Sequence, residues 1–230
     1  MTIGLTYDLK STYLKNGFTK EEVAEFDSED TIVGFENALG ELGFTTERIG
    51  NIVELTEALV AGKRWDLVFN IAEGVYGIGR EAQVPAILDA YKIPYVFSDP
   101  LVLSLTLHKG MTKHIIRDRG IPTAPFAVVE TPNDIEKISL AYLLFIKPVA
   151  EGTGKGITGK SLVRTVQELH DNTTELLEKF GQPVLVEEFL PGREFTVGIV
   201  GTGSDAHTVG IMEITITDKS AETIYSLFVK

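Results

Sequence analysis

Leu143-Leu144-Phe145-Ile146-Lys147-Pro148, followed closely by Glu151-Gly152-Thr153-Gly154-Lys155-Gly156, is an apolar strand interrupted by one lysine and then a glycine-rich loop. An ammonium group inside an apolar strand is costly unless an anion meets it. Phosphate is such an anion. The alternative is a lysine at a strand end whose charge reaches water along its own stem. Pro148 cannot donate to a sheet ladder, so an edge strand is expected here. The glycines remove side-chain bulk and permit positive φ, which lets backbone N–H groups converge on phosphate oxygens. A plain glycine-rich hairpin turn competes with that reading.

A second pattern overlaps the loop. Gly154-Lys155-Gly156-Ile157-Thr158-Gly159-Lys160-Ser161 fits G-x-x-x-x-G-K-[ST] and precedes a helical pattern over 162–179. In a P-loop NTPase, Lys160 would reach the β- and γ-phosphates and Ser161 would hold magnesium. That fold also needs a parallel sheet around the loop and a downstream strand ending in an acid. The remaining chain reads instead as antiparallel hairpins, with strands expected over 184–190, 194–200, 207–216 and 223–229. The P-loop is the minor alternative.

Upstream, strand-like runs alternate with helix-like ones, the pattern of an α/β protein with a largely parallel sheet. Strands are expected over 3–7, 44–49, 67–71 and 95–97. Ser28-Glu29-Asp30 puts a capping residue and two acids ahead of Ile32, Phe35, Leu39 and Leu42, which predicts a helix ending at Gly43. Further helices are expected over 53–61, 81–91 and 109–119, with Pro85 confined to a first turn. Strands at 126–129 and 143–149 follow. A domain boundary is expected within 98–107. Lys109 and Lys113 fall on one helix face, where like charges cost a few tenths of a kcal/mol unless something negative approaches. An ordinary solvated face is the other reading.

The 230 residues carry a net charge of −12, which argues against nucleic acid or an anionic membrane surface as partner, since phosphate backbones are held by Lys and Arg. Cysteine is absent, so disulfides, thiolate metal sites and cysteine nucleophiles are excluded together. Charged and polar residues from Asp8 onward cut short any signal-like run, and no segment approaches the ~20 apolar residues of a membrane helix. A cytoplasmic location is expected. The four histidines are scattered and give no metal or triad signal.

Asn70-Ile71-Ala72-Glu73-Gly74, Arg80-Glu81-Ala82-Gln83-Val84-Pro85, residues 109–126 and the Lys147 strand with its loop follow one another in an order that resembles ATP-grasp ligases of the D-alanine–D-alanine ligase type. Such ligases join a carboxylate to an amine through an acyl-phosphate. The resemblance runs from about Trp65 to the last residue. It implies α/β plus α+β architecture: a Rossmann-like domain at 1–103, an ATP-grasp subdomain at 104–183 and an incomplete second one at 184–230. It also implies ATP and magnesium as cofactors, small-molecule carboxylate and amine substrates of amino-acid or peptide type, and it allows a homodimer.

Residue by residue, the resemblance implies that Lys109, Lys147 and the loop residues Glu151, Gly152, Thr153 and Gly154 meet ATP phosphates. Glu187 would take the adenine amino group, the backbone of Glu188, Phe189 and Leu190 would complete the purine contacts, and Glu194 would hold the ribose hydroxyls. A charged strand edge that discourages aggregation is the alternative for these acids. Lys147 and Lys230 are the expected catalytic lysines.

Three departures accompany the resemblance. Residues 7–12 lack the serine- and glutamate-bearing loop of D-alanine ligases. The 73–80 loop lacks their His-Gly and Gly-Glu-Asp-Gly arrangement, which makes Tyr76, Arg80, Glu81 and Gln83 the candidate pocket residues. Arg80 is expected to clasp a carboxylate with its fork, or to cap, or to lie on the surface. His108 stands where the family commonly has aspartate. No metal ligand is assigned, because the magnesium carboxylates are expected in a segment following residue 230. The chain is therefore expected to be a truncated piece, inactive alone, or else a non-catalytic nucleotide-binding remnant.

Overall fold

The computed structural model describes residues 1–215 and divides into two compact units. The first comprises Met1–Thr123 with Val149–Lys155. The second comprises Ala124–Pro148 and the described residues from Gly156 onward.

In the first unit, β1 (Thr2–Thr6), α1 (Lys10–Lys15), α2 (Glu29–Glu41), β2 (Thr45–Gly50), α3 (Ile52–Val60), β3 (Leu67–Asn70), α4 (Gln83–Tyr91), α5 (Pro100–Leu107) and α6 (Lys109–Asp118) follow in order. The three strands form a parallel sheet in the order β2-β1-β3, with Ile3 opposite both Thr46 and Leu67. Sequence chemistry explains the helix starts. Ser28 Oγ accepts from Thr31 N, with Glu29 and Asp30 in the first turn of α2. Asn51 Oδ1 accepts from Val53 N and Glu54 N, while the Glu54 carboxylate accepts from Asn51 N, a reciprocal cap for α3. Replacing Asn51 with alanine should therefore cost ~1 kcal/mol and Asn51→Ser much less, read as the shift in thermal midpoint.

Leu55 and Leu59 of α3 pack with Trp65, Val68 and Leu88 into one side of the core, and Ile3, Leu5 and Ile32 form another cluster. Pro85 sits in the first turn of α4, as expected. The expected strand at 95–97 is reduced to a single parallel bridge between Tyr95 and Val68. Val68 N donates to Pro94 O and Val96 N to Val68 O, but Phe97 at φ 72° then turns the chain out of the extended region. Within 98–107 the chain forms α5, started by Asp99 Oδ1 accepting from Val102 N with Pro100 just inside the helix.

The second unit contains β4 (Phe126–Val129), α7 (Pro132–Ile135), β5 (Leu144–Pro148), β6 (Leu162–Val163), α8 (Val166–Phe180), β7 (Val184–Glu188), β8 (Glu194–Val200) and β9 (His207–Ile214). Four strands make an antiparallel sheet in the order β4-β7-β5-β6, and β8 pairs only with β9 among the described strands. Two expectations are corrected. β7 does not form a hairpin with β8 but lies between β4 and β5. β5 is an interior strand, not an edge: Pro148 is its last residue, so the missing N–H falls where the strand ends. The helix expected over 162–179 begins only at Val166, capped by Thr165 Oγ1, after the two-residue β6. Leu144, Ile146, Val163, Leu169, Val184 and Val186 are buried between sheet and α8. The strand expected at 223–229 lies outside the described residues. Among the described residues no helix is long and apolar enough to cross a membrane.

Candidate functional site

The glycine-rich loop following β5 is held within the first unit by a buried ionic cluster. Arg80 Nη1 donates to Ala150 O at 2.8 Å, and Arg80 Nη2 lies 2.9 Å from Glu25 Oε2 and 3.6 Å from Glu151 Oε2. The Glu151 carboxylate also meets Lys155 Nζ at 2.7 Å. Glu25 Oε1 accepts from Gly152 N, and a Cβ on Gly152 would stand 2.8 Å from that same oxygen, so a larger residue there would push the Glu25 carboxylate aside. Lys109 N donates to Val149 O at 2.9 Å, and its ammonium donates to Glu151 O. Thr153 at φ 53° and Gly154 at φ 76° turn the loop through the left-handed region, closed by Lys155 N donating to Gly152 O. Lysine ammoniums beside a run of such backbone are chemistry suited to a phosphate.

This geometry corrects one expectation. Arg80 is 7% exposed and its fork is occupied by Glu25, Glu151 and a backbone carbonyl, so it is no clasp for a substrate carboxylate. Lys113 departs likewise from a solvated face: it is 9% exposed, and its ammonium donates to Thr123 Oγ1 at 2.6 Å. Tyr76 is largely exposed, and Gln83 Nε2 donates to Tyr76 O. Sequence reasoning placed Lys155 in the glycine loop without its partner Glu151 and missed Glu25. Glu25 sits in a polar run without periodicity, and nothing short of the fold marks it.

The 73–80 loop starts on a fixed anchor. Asp8 accepts from Glu73 N and Gly74 N at 3.0 and 2.8 Å, and Tyr13 Oη donates to Asp8. A Cβ on Gly74, at φ 73°, would press on Arg80 O at 2.9 Å. Burial pushes the Glu73 carboxyl up to about 8, reinforced by the Glu81 and Glu25 carboxylates and only partly opposed by Arg80. Burial raises Glu81 as well.

In the second unit, Lys147 on β5 and Glu187 on β7 form an ion pair at 2.7 Å, both largely buried. Register places Phe145 opposite Glu187 and Lys147 opposite Leu185, so the pair is diagonal on one face of the sheet. Phe189 N donates to Leu143 O at 2.9 Å, and Glu188 Oε1 accepts from Ala141 N at 3.0 Å. Leu190 is exposed, and Glu194, at the start of β8, is exposed too. Lys230 lies outside the described residues.

The P-loop reading finds no support. Gly159–Ser161 is a single 3₁₀ turn leading into β6, and Lys160 is an exposed side chain whose ammonium pairs with Glu175 at 2.6 Å. Among the described residues no group of three or more His, Asp or Glu side chains is arranged to hold a metal ion. The described residues thus hold lysines and a glycine-loop backbone but no magnesium site, and no step through magnesium is derived from them.

Residues 115–227 match the family described as D-ala D-ala ligase C-terminus. The D-alanine–D-alanine ligase of Bordetella petrii is 32% identical over 163 residues, covering 70% of this chain and 48% of the relative. That of Rhodospirillum rubrum is 29% identical over 209 residues, covering 90% and 65%. The uncharacterized protein y4sG of Sinorhizobium fredii is 34% identical over 135 residues, covering 59% and 39%. The chain spans about half or less of the length of several curated relatives it matches. Among solved structures, D-alanyl-alanine synthetase A from Vibrio cholerae superposes with TM-score 0.64 at 16% identity, over 96% of this chain and 68% of that one. D-alanine–D-alanine ligase from Bacillus anthracis gives 0.62 at 18%, over 96% and 73%. These two likenesses concern the fold.

Proposed function

We propose that this chain, which belongs to the D-alanine–D-alanine ligase family of ATP-grasp proteins, carries the nucleotide-binding part of an ATP-dependent ligase that joins a carboxylate to an amine through an acyl-phosphate. The observation that supports this reading most is the Lys147–Glu187 pair on β5 and β7: a lysine retained inside an apolar sheet, beside an acid. Lys147 would meet phosphate, and Glu187 with the backbone of Glu188, Phe189 and Leu190 would seat the adenine. Glu194 would take the ribose hydroxyls, because a carboxylate accepts two hydroxyl hydrogens well. Lys109 and the loop Glu151, Gly152, Thr153 and Gly154 would stabilise phosphate charge. Small-molecule substrates of amino-acid type and a cytoplasmic setting fit the same reading.

The finer architecture is read the same way. The parallel order β2-β1-β3 with intervening helices supports a Rossmann-like domain at 1–103. The antiparallel sheet around β5 supports an ATP-grasp subdomain at 104–183, which β7 joins from beyond it, and the separate β8–β9 pair supports the start of another within 184–230.

Calorimetric titration of Mg·ATP into the chain and two variants tests the reading. Lys147→Ala should weaken binding about tenfold or more, as loss of a charge-assisted phosphate contact does, and Lys160→Ala should leave it within a factor of about two. Loss confined to Lys160→Ala, or no binding by the parent chain, overturns it.

A further inference from the structure

A cavity of about 340 Å³ opens in the first unit, lined by Asp27, Asn70, Glu73, Glu81 and the rings of Phe35 and Phe97 among others. That volume lies at the small end of ordinary ligand pockets. No Lys, Arg or His lines it. The neighbouring cations are engaged elsewhere: Arg80 with Glu25 and Glu151, Lys109 with loop carbonyls, while Lys10 tempers Asp27 without lining the cavity.

A second, independent feature concerns Asn70, which is 6% exposed. Its Oδ1 accepts from Thr6 Oγ1 at 2.8 Å and from Ala72 N at 3.3 Å, which fixes the orientation of the amide. Nδ2, on the residue that lines the cavity, has no hydrogen-bond partner among the described residues. On a residue that lines the cavity, this donor is open to a ligand oxygen arriving there. The cavity therefore presents three carboxyls and one donor. The carboxyls are not arranged to hold a metal ion, which leaves an organic cation as the complementary charge.

We propose that this cavity binds a small amine of net positive charge bearing a neutral carbonyl oxygen, the chemistry of an amino-acid amide or a peptide N-terminus. Its ammonium sits among Asp27, Glu73 and Glu81, its carbonyl oxygen accepts from Asn70 Nδ2, and its side chain lies against Phe35 and Phe97, whose ring faces also favour cations. A free α-carboxylate would instead be brought beside the Asp27 and Glu81 carboxyls, so zwitterionic amino acids are disfavoured. Burial raises all three carboxyls and outweighs the cations that oppose it, Lys10 at Asp27, Arg80 at Glu73, and Arg80 with Lys109 at Glu81. The inference deepens the ligase reading by naming the class of its amine partner, yet binding at this cavity needs no nucleotide. A failed Mg·ATP test leaves it standing.

The test is calorimetric titration, without nucleotide, of phenylalaninamide, phenylalanine and 2-phenylethylamine, each amino-acid probe in both enantiomers. Phenylalaninamide should bind about tenfold tighter than phenylalanine, which adds a carboxylate, and tighter than 2-phenylethylamine, which lacks the oxygen. Glu81→Gln should weaken both amines. Asn70→Asp keeps the Oδ1 acceptor for Thr6 and Ala72 but removes the donor, so it should bring phenylalaninamide down to the level of 2-phenylethylamine without weakening the latter. Equal binding of phenylalanine and its amide overturns the proposal. So does amine binding indifferent to Glu81→Gln in a variant that keeps its thermal midpoint, or no binding of either amine at millimolar concentration.

Discussion

Replacing Arg80 with alanine is expected to destabilise the first unit by ~3–5 kcal/mol, the cost of removing one partner from a buried ionic cluster. The guanidinium contacts Glu25 at 2.9 Å and Glu151 at 3.6 Å, and both carboxylates have side chains no more than 8% exposed. Without it, two buried anions lose the cation they share, while Lys155 still meets Glu151, and Ala150 O loses the bond from Arg80. Arg80→Lys keeps the charge but cannot serve the carbonyl and Glu25 at once, so an intermediate loss is expected. The double variant Arg80→Met with Glu25→Gln should recover much of the stability, because it deletes opposite charges together. Urea unfolding of the three variants against the parent decides. A loss below ~1 kcal/mol for Arg80→Ala would mean the cluster behaves as a solvated surface pair.

The same residue shows where the sequence stops being informative. Helix α2 was legible because its start is local chemistry: Ser28 reaches backbone three residues away. The Lys147 strand and its glycine loop were legible for a similar reason, since the anomaly lies in the order of residues themselves. Arg80 and Glu25 are 55 residues apart, and neither sits in a periodic pattern, so a candidate carboxylate clasp could not be told from a structural cation. α5 escaped because Pro100–Leu107 is apolar on nearly every side, leaving no amphipathic period to detect. Lys113 looked exposed because helix-face arithmetic contains no information about Thr123, the side chain that meets it. Placing β7 between β4 and β5, not beside β8, depends on pairing across the whole sheet, which strand propensity does not encode. His108 is a departure from the family that the structure explains: its Nδ1 accepts from Met111 N at 3.2 Å, so imidazole caps α6 as an aspartate carboxylate would.

Stability should fall as pH rises from about 5 to about 9, and Glu73 should be the main cause. Its folded carboxyl stands at about 8 against an ordinary 4.5, so between those values the folded chain holds a proton that the unfolded chain has released. The native state binding more protons makes unfolding easier with every increment of pH in that window. The contribution is complete below about 4.5 and lost as pH passes through 8, a change on the order of a few kcal/mol. Asp27 and Glu81 are also raised by burial and act in the same direction. The acids held low, Glu36 by Arg48 and Glu47 by Lys63, gain their stabilisation at pH values below this window and do not offset the trend within it. Glutamine mimics the protonated carboxyl in shape and in lack of charge. Glu73→Gln should therefore match the parent near pH 5, exceed it near pH 9, and flatten the profile of thermal midpoint against pH. Parallel profiles for parent and variant would show that Glu73 is ionised in the folded chain at neutral pH, and that the carboxyls beside Arg80 are better solvated than their burial implies.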